Sequence, residues 1–334
     1  HKEYRRQRQM CIRDRDTGAS ASDHVTSATT LTLSGTAEAN SSITVTASGS
    51  ATVYTATASA TGDWSVSGLA VTEGTPALTI SVQDAAGNAT SSTLSLTIDT
   101  TAPTAPSVSG PATTNDTTPD IAGTGVANTT VRVYDGGLLL GTTTANVLGV
   151  WTFTPGAPLA ESTHSITALQ VDTAGNVSAL SSSLTMTVDV TAPNVPVVDA
   201  QTTNSLTPTI TGTAEANVVV KVYKGAALLG TVTADGSGVW SLPLANPLVI
   251  GANTIAATAE DALGNVSNSS AGSLVTVDQT APSAPVFSAT TFSSNSTTPT
   301  ITGTSEPNAF ITLRHNSTTL GMATACLLYT SDAA

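Results

Sequence analysis

The sequence is poor in cysteine, in aromatic residues and in charge, and each shortage excludes a class of protein. Its only cysteines, Cys11 and Cys326, lie close to the two ends, so the long stretch between them can form neither a disulfide scaffold nor a thiolate metal site. Aromatic residues make up 4% of the chain and charged residues 10%. The abundant Thr, Ser, Ala, Val and Gly favour many short strands separated by turns over helices.

Basic residues are rarer still outside the first few positions. Residues 16–325 contain 20 acidic side chains against four basic ones, which are Arg132, Lys221, Lys224 and Arg314. Such an acidic surface repels phosphate backbones and attracts cations, so we expect no nucleic acid partner. The chain also has no run of eighteen apolar residues, and the sequence therefore predicts no membrane span.

The two ends differ from the rest of the chain. Residues 1–16 hold six of the ten basic residues, and residues 326–334 interrupt the pattern that precedes them. Both segments resemble translated sequencing-adapter DNA, so we interpret them as non-native tails and exclude them from the fold. The alternative for the first segment is a basic arm that binds nucleic acid.

The chain between the tails is organised by a repeated junction, Asp-x-Thr-Ala-Pro. Its prolines are Pro103, Pro193 and Pro282, which are 90 and 89 residues apart. A fixed period of this size indicates one folding unit copied in tandem. We predict repeats at 17–101, 102–191 and 192–280, followed by a partial fourth repeat at 281–325 that lacks its last strands and exposes apolar edges.

Each repeat shows about seven short apolar stretches with turn residues every eight to twelve positions. This pattern predicts an all-β fold of antiparallel β-sandwiches. Trp64, Trp151 and Trp240 each follow a turn glycine by two residues. We expect these rings to fill the gap between two sheets; the alternative is an exposed ring that stacks on a ligand.

Four motifs recur in constant order. They are Thr-Pro-x-Ile-x-Gly-Thr-x-Glu-x-Asn, Gly-x-Trp, Asp-x-x-Gly-Asn and Asp-x-Thr-Ala-Pro, each written as it stands in most of the repeats. The repeats thereby resemble the tandem bacterial Ig-like modules of large secreted adhesins and biofilm-associated surface proteins. The resemblance implies Ig-like sandwiches in an extended array. Antibody-type domains are excluded, because the cysteine pair is missing and the Trp precedes the fifth strand.

Acidic residues recur at the predicted junctions between repeats. In this topology Asp189 of the linker, Glu215 of an early loop and Asp261 of a late turn are expected to converge, with Glu260 as a possible fourth carboxylate. Carboxylate and carbonyl oxygens suit Ca²⁺, and no His or Cys is at hand for zinc. The remaining candidate ligands are Asp99 and Asp172, where Val126 replaces the glutamate, then Asp278 and Glu306, and finally Glu38 and Asp84.

The resemblance supports calcium as the bound ion, since related adhesin repeats use interdomain Ca²⁺ to stiffen the array. A simpler interpretation is that Asp and Asn stabilise turns through local hydrogen bonds, or that acids at strand ends discourage edge pairing. The sequence does not choose between these alternatives.

Three functions remain open at this stage. The first is a non-enzymatic extracellular stalk at the cell surface, whose partners are its neighbouring repeats and, through a distal domain, a host or matrix surface. The second is a module that binds a glycan or host protein through one side face, for which repeat 2 comes closest. The third is an accessory region of a secreted hydrolase. No histidine recurs between repeats, so we predict no catalytic site.

Overall fold

The computed structural model describes residues 23–289 and 293–326, and this part of the chain contains strands but no helix. The non-native segments expected at 1–16 and 326–334 lie outside the described residues, apart from Cys326, which is exposed. The chain divides into two compact units. The first comprises residues 1–191 together with Leu263–Asn265, and the second comprises 192–262 and 266–334.

Repeat 1, in the first unit, is a sandwich built from one four-stranded sheet and two strand pairs. Its strands are β1 (Val25–Thr26), β2 (Thr30–Thr36), β3 (Ser42–Ala47), β4 (Val53–Thr57), β5 (Asp63–Ala70), β6 (Ala77–Gln83), β7 (Ala89–Ser95) and β8 (Thr97–Ile98). One sheet has the order β4-β3-β6-β7, a second pairs β2 with β5, and a third pairs β1 with β8. Side chains alternate between buried and exposed along β3, as expected for a strand with one face on the core.

Repeat 2, also in the first unit, has a larger second sheet. Its strands are β9 (Thr113–Thr114), β10 (Ile121–Thr124), β11 (Thr130–Asp135), β12 (Leu138–Thr144), β13 (Val150–Phe153), β14 (Ser162–Val171) and β15 (Leu184–Val188). The five-stranded sheet has the order β12-β11-β14-β15-β9, and β10 pairs with β13. Buried residues from both sheets form one core cluster, so the two sheets pack face to face.

The second unit contains repeats 3 and 4. Repeat 3 has β16 (Val197–Val198), β17 (Gln201–Thr203), β18 (Thr209–Thr213), β19 (Val219–Lys224), β20 (Ala227–Thr233), β21 (Val239–Pro243), β22 (Gly251–Glu260) and β23 (Ser273–Val277). Repeat 4 has β24 (Val286–Phe287), β25 (Gly303–Thr304), β26 (Phe310–His315) and β27 (Thr318–Thr324). The described residues of repeat 4 belong to no core cluster, and Phe310 and Met322 are about two-thirds exposed.

The all-β fold class and the tandem Ig-like sandwiches are confirmed, with one feature that the sequence did not predict. In each of the first three repeats an early strand pairs in parallel with the last one: β1 with β8, β9 with β15, and β17 with β23. All other strand pairs are antiparallel. These early strands have only two or three residues, too few to show a periodicity.

The repeated tryptophans lie in the cores, as predicted. Trp151 and Trp240 are 1% exposed and Trp64 is 4% exposed. Each ring stands opposite the glycine of the Gly-Thr pair on the neighbouring strand, so that Gly123 faces Trp151 and Gly212 faces Trp240. A Cβ atom on Gly212 would lie 2.4 Å from the Trp240 ring. The tryptophan ring therefore packs in the space that the missing side chain of the glycine leaves open.

Candidate functional site

The end of each repeat that carries the Glu-x-Asn loop and the Asp-x-x-Gly-Asn turn is called here the proximal pole. Its turn is held by local hydrogen bonds, seen most fully in repeat 1. The Asp84 carboxylate accepts hydrogen bonds from the backbone N–H groups of Ala86 and Asn88, at 2.9 and 2.8 Å, and from the Asn88 side-chain amide at 2.8 Å. The Asn88 amide contributes most to lowering the pKa of Asp84 below its usual value, so this carboxylate is ionised at neutral pH.

The Glu-x-Asn loop has two separable roles. Its asparagine adopts a left-handed backbone conformation, with φ between 61° and 65° at Asn40, Asn128, Asn217 and Asn308. Asparagine tolerates this region better than other residues with a Cβ. Its glutamate binds the linker of its own repeat: Glu215 accepts a hydrogen bond from the Asn194 backbone N–H at 2.7 Å, and Glu306 accepts one from the Ser283 backbone N–H at 2.8 Å.

Repeat 2 fixes its linker without a glutamate, because Val126 occupies that position. The buried Gln170 takes over the role. Its side-chain oxygen accepts hydrogen bonds from the Val126 backbone N–H and the Thr129 hydroxyl, both at 2.9 Å, and its amide donates to the carbonyl of Thr104 in the linker. Sequence reasoning missed this residue. The only available signal was a polar side chain in β14 at a core position, where repeat 3 has Ala259.

The exchange Gln170→Ala is expected to destabilise repeat 2 by about 2 kcal/mol, because it leaves the buried Thr129 hydroxyl with fewer partners and removes the tie to Thr104. Hydrogen-exchange mass spectrometry on the whole chain measures this as faster exchange in repeat 2 and its linker. The exposed Gln279, replaced in the same way, is a matched control with an expected change within about 0.5 kcal/mol. Equal protection in the two variants would contradict a structural role for Gln170.

The linker between repeats 1 and 2 is also bound by an asparagine. Asn176 donates a side-chain hydrogen bond to the Asp99 carbonyl at 2.8 Å and lies 2.9 Å from the Asp172 carboxylate. The Asp99 carboxylate itself accepts the Thr101 backbone N–H at 3.0 Å. Thus Asp99 and Asp172 are connected through the amide of Asn176. Asn265, which clusters with the first unit, donates in the same way to the Asp189 carbonyl at 3.0 Å.

Two of the predicted acidic pairs, Glu38 with Asp84 and Asp278 with Glu306, each lie within a single unit. Glu38 and Asp84 line one open cavity of about 330 Å³ at the proximal pole of repeat 1, together with Ser41 and Asn88. At Glu306, the side-chain and backbone hydrogen bonds from Ser283 lower the pKa, while desolvation and, after it, the negative charge of Asp278 oppose that shift.

The convergence of Asp189 with Glu215 and Asp261 stays a prediction. Asp189 belongs to the first unit, whereas Glu215 and Asp261 belong to the second. The Asp189 carboxylate accepts a hydrogen bond from the Thr191 backbone N–H at 3.0 Å, an arrangement repeated at Asp278 and Thr280. Among residues 23–289 and 293–326, no three His, Cys, Asp or Glu side chains group closely enough to hold a metal ion by themselves.

A second polar cluster lies beside the core of repeat 2 and superficially resembles a catalytic triad. His164 is 2.7 Å from the Asp135 carboxylate through Nδ1, and its Nε2 lies 2.8 Å from the Ala160 carbonyl and 3.4 Å from the Ser162 hydroxyl. Burial lowers the pKa of His164, but the bonds to Ala160 and Asp135 outweigh it and raise the pKa above its ordinary value. Since both ring nitrogens face acceptors, His164 is held as a donor and is unsuited to take a proton from Ser162.

Comparison with solved structures identifies repeat regions of bacterial surface proteins among similar chains. A structure of a 1.5-MDa bacterial ice-binding adhesin has 21% identity and a TM-score of 0.34, covering 81% of this chain and 99% of its own. A tetra-tandem repeat from the extending region of a large adhesion protein has 25% identity and a TM-score of 0.30, covering 90% of this chain and 85% of its own. A domain of a biofilm-associated protein has 14% identity and a TM-score of 0.24, covering 75% of this chain and 64% of its own. No curated protein sequence matches the chain.

The sequence profile of the bacterial Ig-like domain matches three consecutive stretches, residues 8–100, 106–190 and 197–279. The first match begins inside the segment that we interpret as non-native, at residues outside the described part of the structure. Within that described part, no apolar helix could span a lipid bilayer. The three matches together cover well over half of the chain, and each coincides with one sandwich. The chain therefore belongs to the bacterial Ig-like domain family.

Proposed function

We propose that this chain is a section of an extracellular stalk in a bacterial adhesin, in which tandem Ig-like repeats are stiffened by calcium at their junctions. The tandem repeats with separate cores support a spacer built from modules that fold largely on their own. The proposal is also supported by the way the linker between repeats 1 and 2 is held. The side-chain amides of Gln170 and Asn176, which are buried and half-buried, donate hydrogen bonds to linker carbonyls, so this linker can transmit force between repeats.

The observation that carries the calcium part of the proposal is the cavity shared by Glu38 and Asp84. Two carboxylates that line one cavity both attract a cation bound in it. All the polar side chains that line it offer oxygen, from Glu38, Asp84, Ser41, Asn88 and two threonines. Oxygen donors in a flexible shell fit Ca²⁺ better than the smaller and more demanding Mg²⁺.

Asp84 remains able to bind a cation although it stabilises its own turn. A carboxylate offers about four lone-pair positions, and the hydrogen bonds described at Asp84 occupy three of them. The Glu38 carboxylate makes no hydrogen bond to the described residues. A calcium ion bound here would neutralise the two charges and add an oxygen-based cross-link at the pole.

Calorimetric titration of the whole chain with CaCl₂ tests this proposal. We expect binding with Kd of roughly 0.1–1 mM, the range of extracellular calcium modules, and weaker binding of Mg²⁺. Asp84→Asn should remove one binding event, while Asp63→Asn, which makes the same charge change away from the cavity, should leave the number of events unchanged. No heat of binding up to 10 mM calcium, or equal loss in both variants, would contradict the calcium site.

A further inference from the structure

Repeat 2 carries an open groove on the outer face of its five-stranded sheet. Tyr134 of β11, Leu169 of β14 and Leu180 of the following loop form its apolar surface, and the groove has a volume of about 480 Å³. Its border includes the hydroxyls of Ser165 and Thr167. Leu180 is 56% exposed, so much of the apolar surface faces solvent.

Repeats 1 and 3 lack these outward leucines although they contain the strands that correspond to β11 and β14. Counting from the aspartate of the Asp-x-x-Gly-Asn turn, Leu169 and Leu180 correspond to Thr258 and Ser269 in repeat 3. The corresponding residues of repeat 1 are also hydroxyl-bearing: Ser81 and Ser92. Packing of the sandwich therefore does not require leucines at these outward positions, and repeat 2 exposes them without a structural need.

A basic side chain without a partner stands beside the groove. Arg132 lies on the same face of the sheet and is in direct register with Leu169. Its guanidinium makes no hydrogen bond or ion pair with the described part of the chain. At the same position repeat 3 has Lys221, which forms an ion pair with Glu260. In repeat 2 the position of that glutamate is Val171, so the positive charge of Arg132 is available to an anion.

The backbone groups of β14 beside this groove are already hydrogen-bonded, so a molecule in the groove can contact only side chains. β14 pairs with β11 along one side. On its other side Ala168 and Gln170 exchange hydrogen bonds with Ser181 and Ser178, which close the ladder next to the groove. A peptide added as an extra strand would find no free backbone groups there. The occupant must instead present a flat apolar face, hydroxyl groups and a negative charge.

We propose that the groove of repeat 2 binds a carbohydrate that carries carboxylates, such as a uronic-acid oligosaccharide. The C–H face of a pyranose ring packs on Tyr134, Leu169 and Leu180, and the ring hydroxyls reach Ser165 and Thr167. The carboxylate pairs with Arg132, whose planar guanidinium matches it with two parallel hydrogen bonds. The proposal goes beyond the stalk function, because it concerns a side face of one repeat and needs neither a junction nor calcium.

The test is calorimetric titration of the whole chain with a galacturonate hexamer and with a galactose hexamer, both in EDTA so that calcium cannot bridge two acids. We expect the galacturonate hexamer to bind at least about tenfold more tightly than the neutral one. Arg132→Gln should weaken galacturonate binding about tenfold, and Leu169→Ser combined with Leu180→Ser should abolish it. Arg314→Gln, the same charge change in repeat 4, is the matched control and should have no effect.

Three results would overturn the proposal. The first is no binding of the galacturonate hexamer by the folded chain at millimolar concentration. The second is equal affinity for the charged and neutral hexamers, and the third is equal weakening by Arg132→Gln and Arg314→Gln. Unchanged circular dichroism of the leucine double variant is required for its loss of binding to count, and Arg132→Gln decides the question if that variant unfolds. A negative result in the sugar titration would not change the result of the calcium titration, so each proposal can be refuted without the other.

Discussion

Gly212→Ala is expected to unfold repeat 3 or to destabilise it by about 3 kcal/mol or more. The new Cβ would lie 2.0 Å from the Val197 carbonyl oxygen and 2.4 Å from the Trp240 ring. Backbone atoms and a fully buried indole cannot move aside cheaply, so the strand or the ring must shift. Urea unfolding followed by the fluorescence of Trp240 measures the effect, in a chain where the other two tryptophans are phenylalanine.

That background leaves the core of repeat 3 unchanged, because Trp64 and Trp151 belong to the core clusters of repeats 1 and 2. The indole N–H groups of the three tryptophans also have no hydrogen-bond partner among the described residues, so the phenylalanines remove no hydrogen bond. Gly236→Ala is the matched control in the same repeat, since its Cβ would meet no atom within 4 Å and its backbone is not left-handed. Its free energy of unfolding should change by no more than about 0.5 kcal/mol. Equal stability of the two alanine variants would refute the packing of Trp240 against Gly212.

We expect the stability of repeat 2 to fall as the pH rises above about 6.5, because protonated His164 donates hydrogen bonds to the Asp135 carboxylate and to the Ala160 carbonyl. Its pKa in the folded state is raised above the ordinary value of 6.5. The folded state thus binds the proton more tightly than the unfolded state. This contribution is fully present below pH about 6.5 and is lost as the pH passes the raised folded pKa.

Asp135→Asn should show the same dependence of the stability of repeat 2 on the protonation of His164. At pH 5.5 it leaves an imidazolium without its carboxylate, and we expect a loss of about 2 kcal/mol in repeat 2. Above the raised pKa of His164 the imidazole is neutral, so we expect the loss to shrink as the pH rises past that pKa. Urea unfolding followed at Trp151, with Trp64 and Trp240 replaced by phenylalanine, measures the loss at each pH. A loss that does not depend on pH would show that His164 is not held as a cation.

The sequence was most informative where the repeats agree. Trp64, Trp151 and Trp240 recur in every complete repeat, and a residue that packs a shared core must recur in this way. Their burial could be predicted for that reason. The partner glycine at Gly123 or Gly212 recurs as regularly, yet its role depends on which strands pair, and 28 residues separate it from the tryptophan in each case.

The sequence was least informative where the repeats differ. Gln170 and His164 each occur in one repeat, so no period marks them, and their importance comes from partners that are distant in the sequence. Val126 at the glutamate position indicated a change in the pole of repeat 2. The compensating amide of Gln170 becomes evident only when β14 is placed beside the linker.

The acidic residues of the proximal poles show most clearly what could not be predicted from the sequence. The sequence predicted that Glu38 would lie near Asp84, and the structure brings this pair to one cavity. It could not show that Asn88 and Asn176 occupy part of the hydrogen-bonding capacity of the turn aspartates. Local turn stabilisation and cation binding are therefore compatible roles of the same carboxylate, and only metal titration separates them.

Small-angle X-ray scattering of the whole chain, with 5 mM calcium and then with excess EDTA, tests the calcium-stiffened stalk most directly. Asp189→Ala is measured alongside, because Asp189 is the linker acid of the fully acidic predicted set. We expect a maximum dimension that shortens or spreads on chelation, and a smaller change on chelation for Asp189→Ala, which has lost one of the predicted sites. Superimposable profiles of both proteins in both buffers would contradict stiffening by calcium and leave these acids as turn residues of a plain spacer.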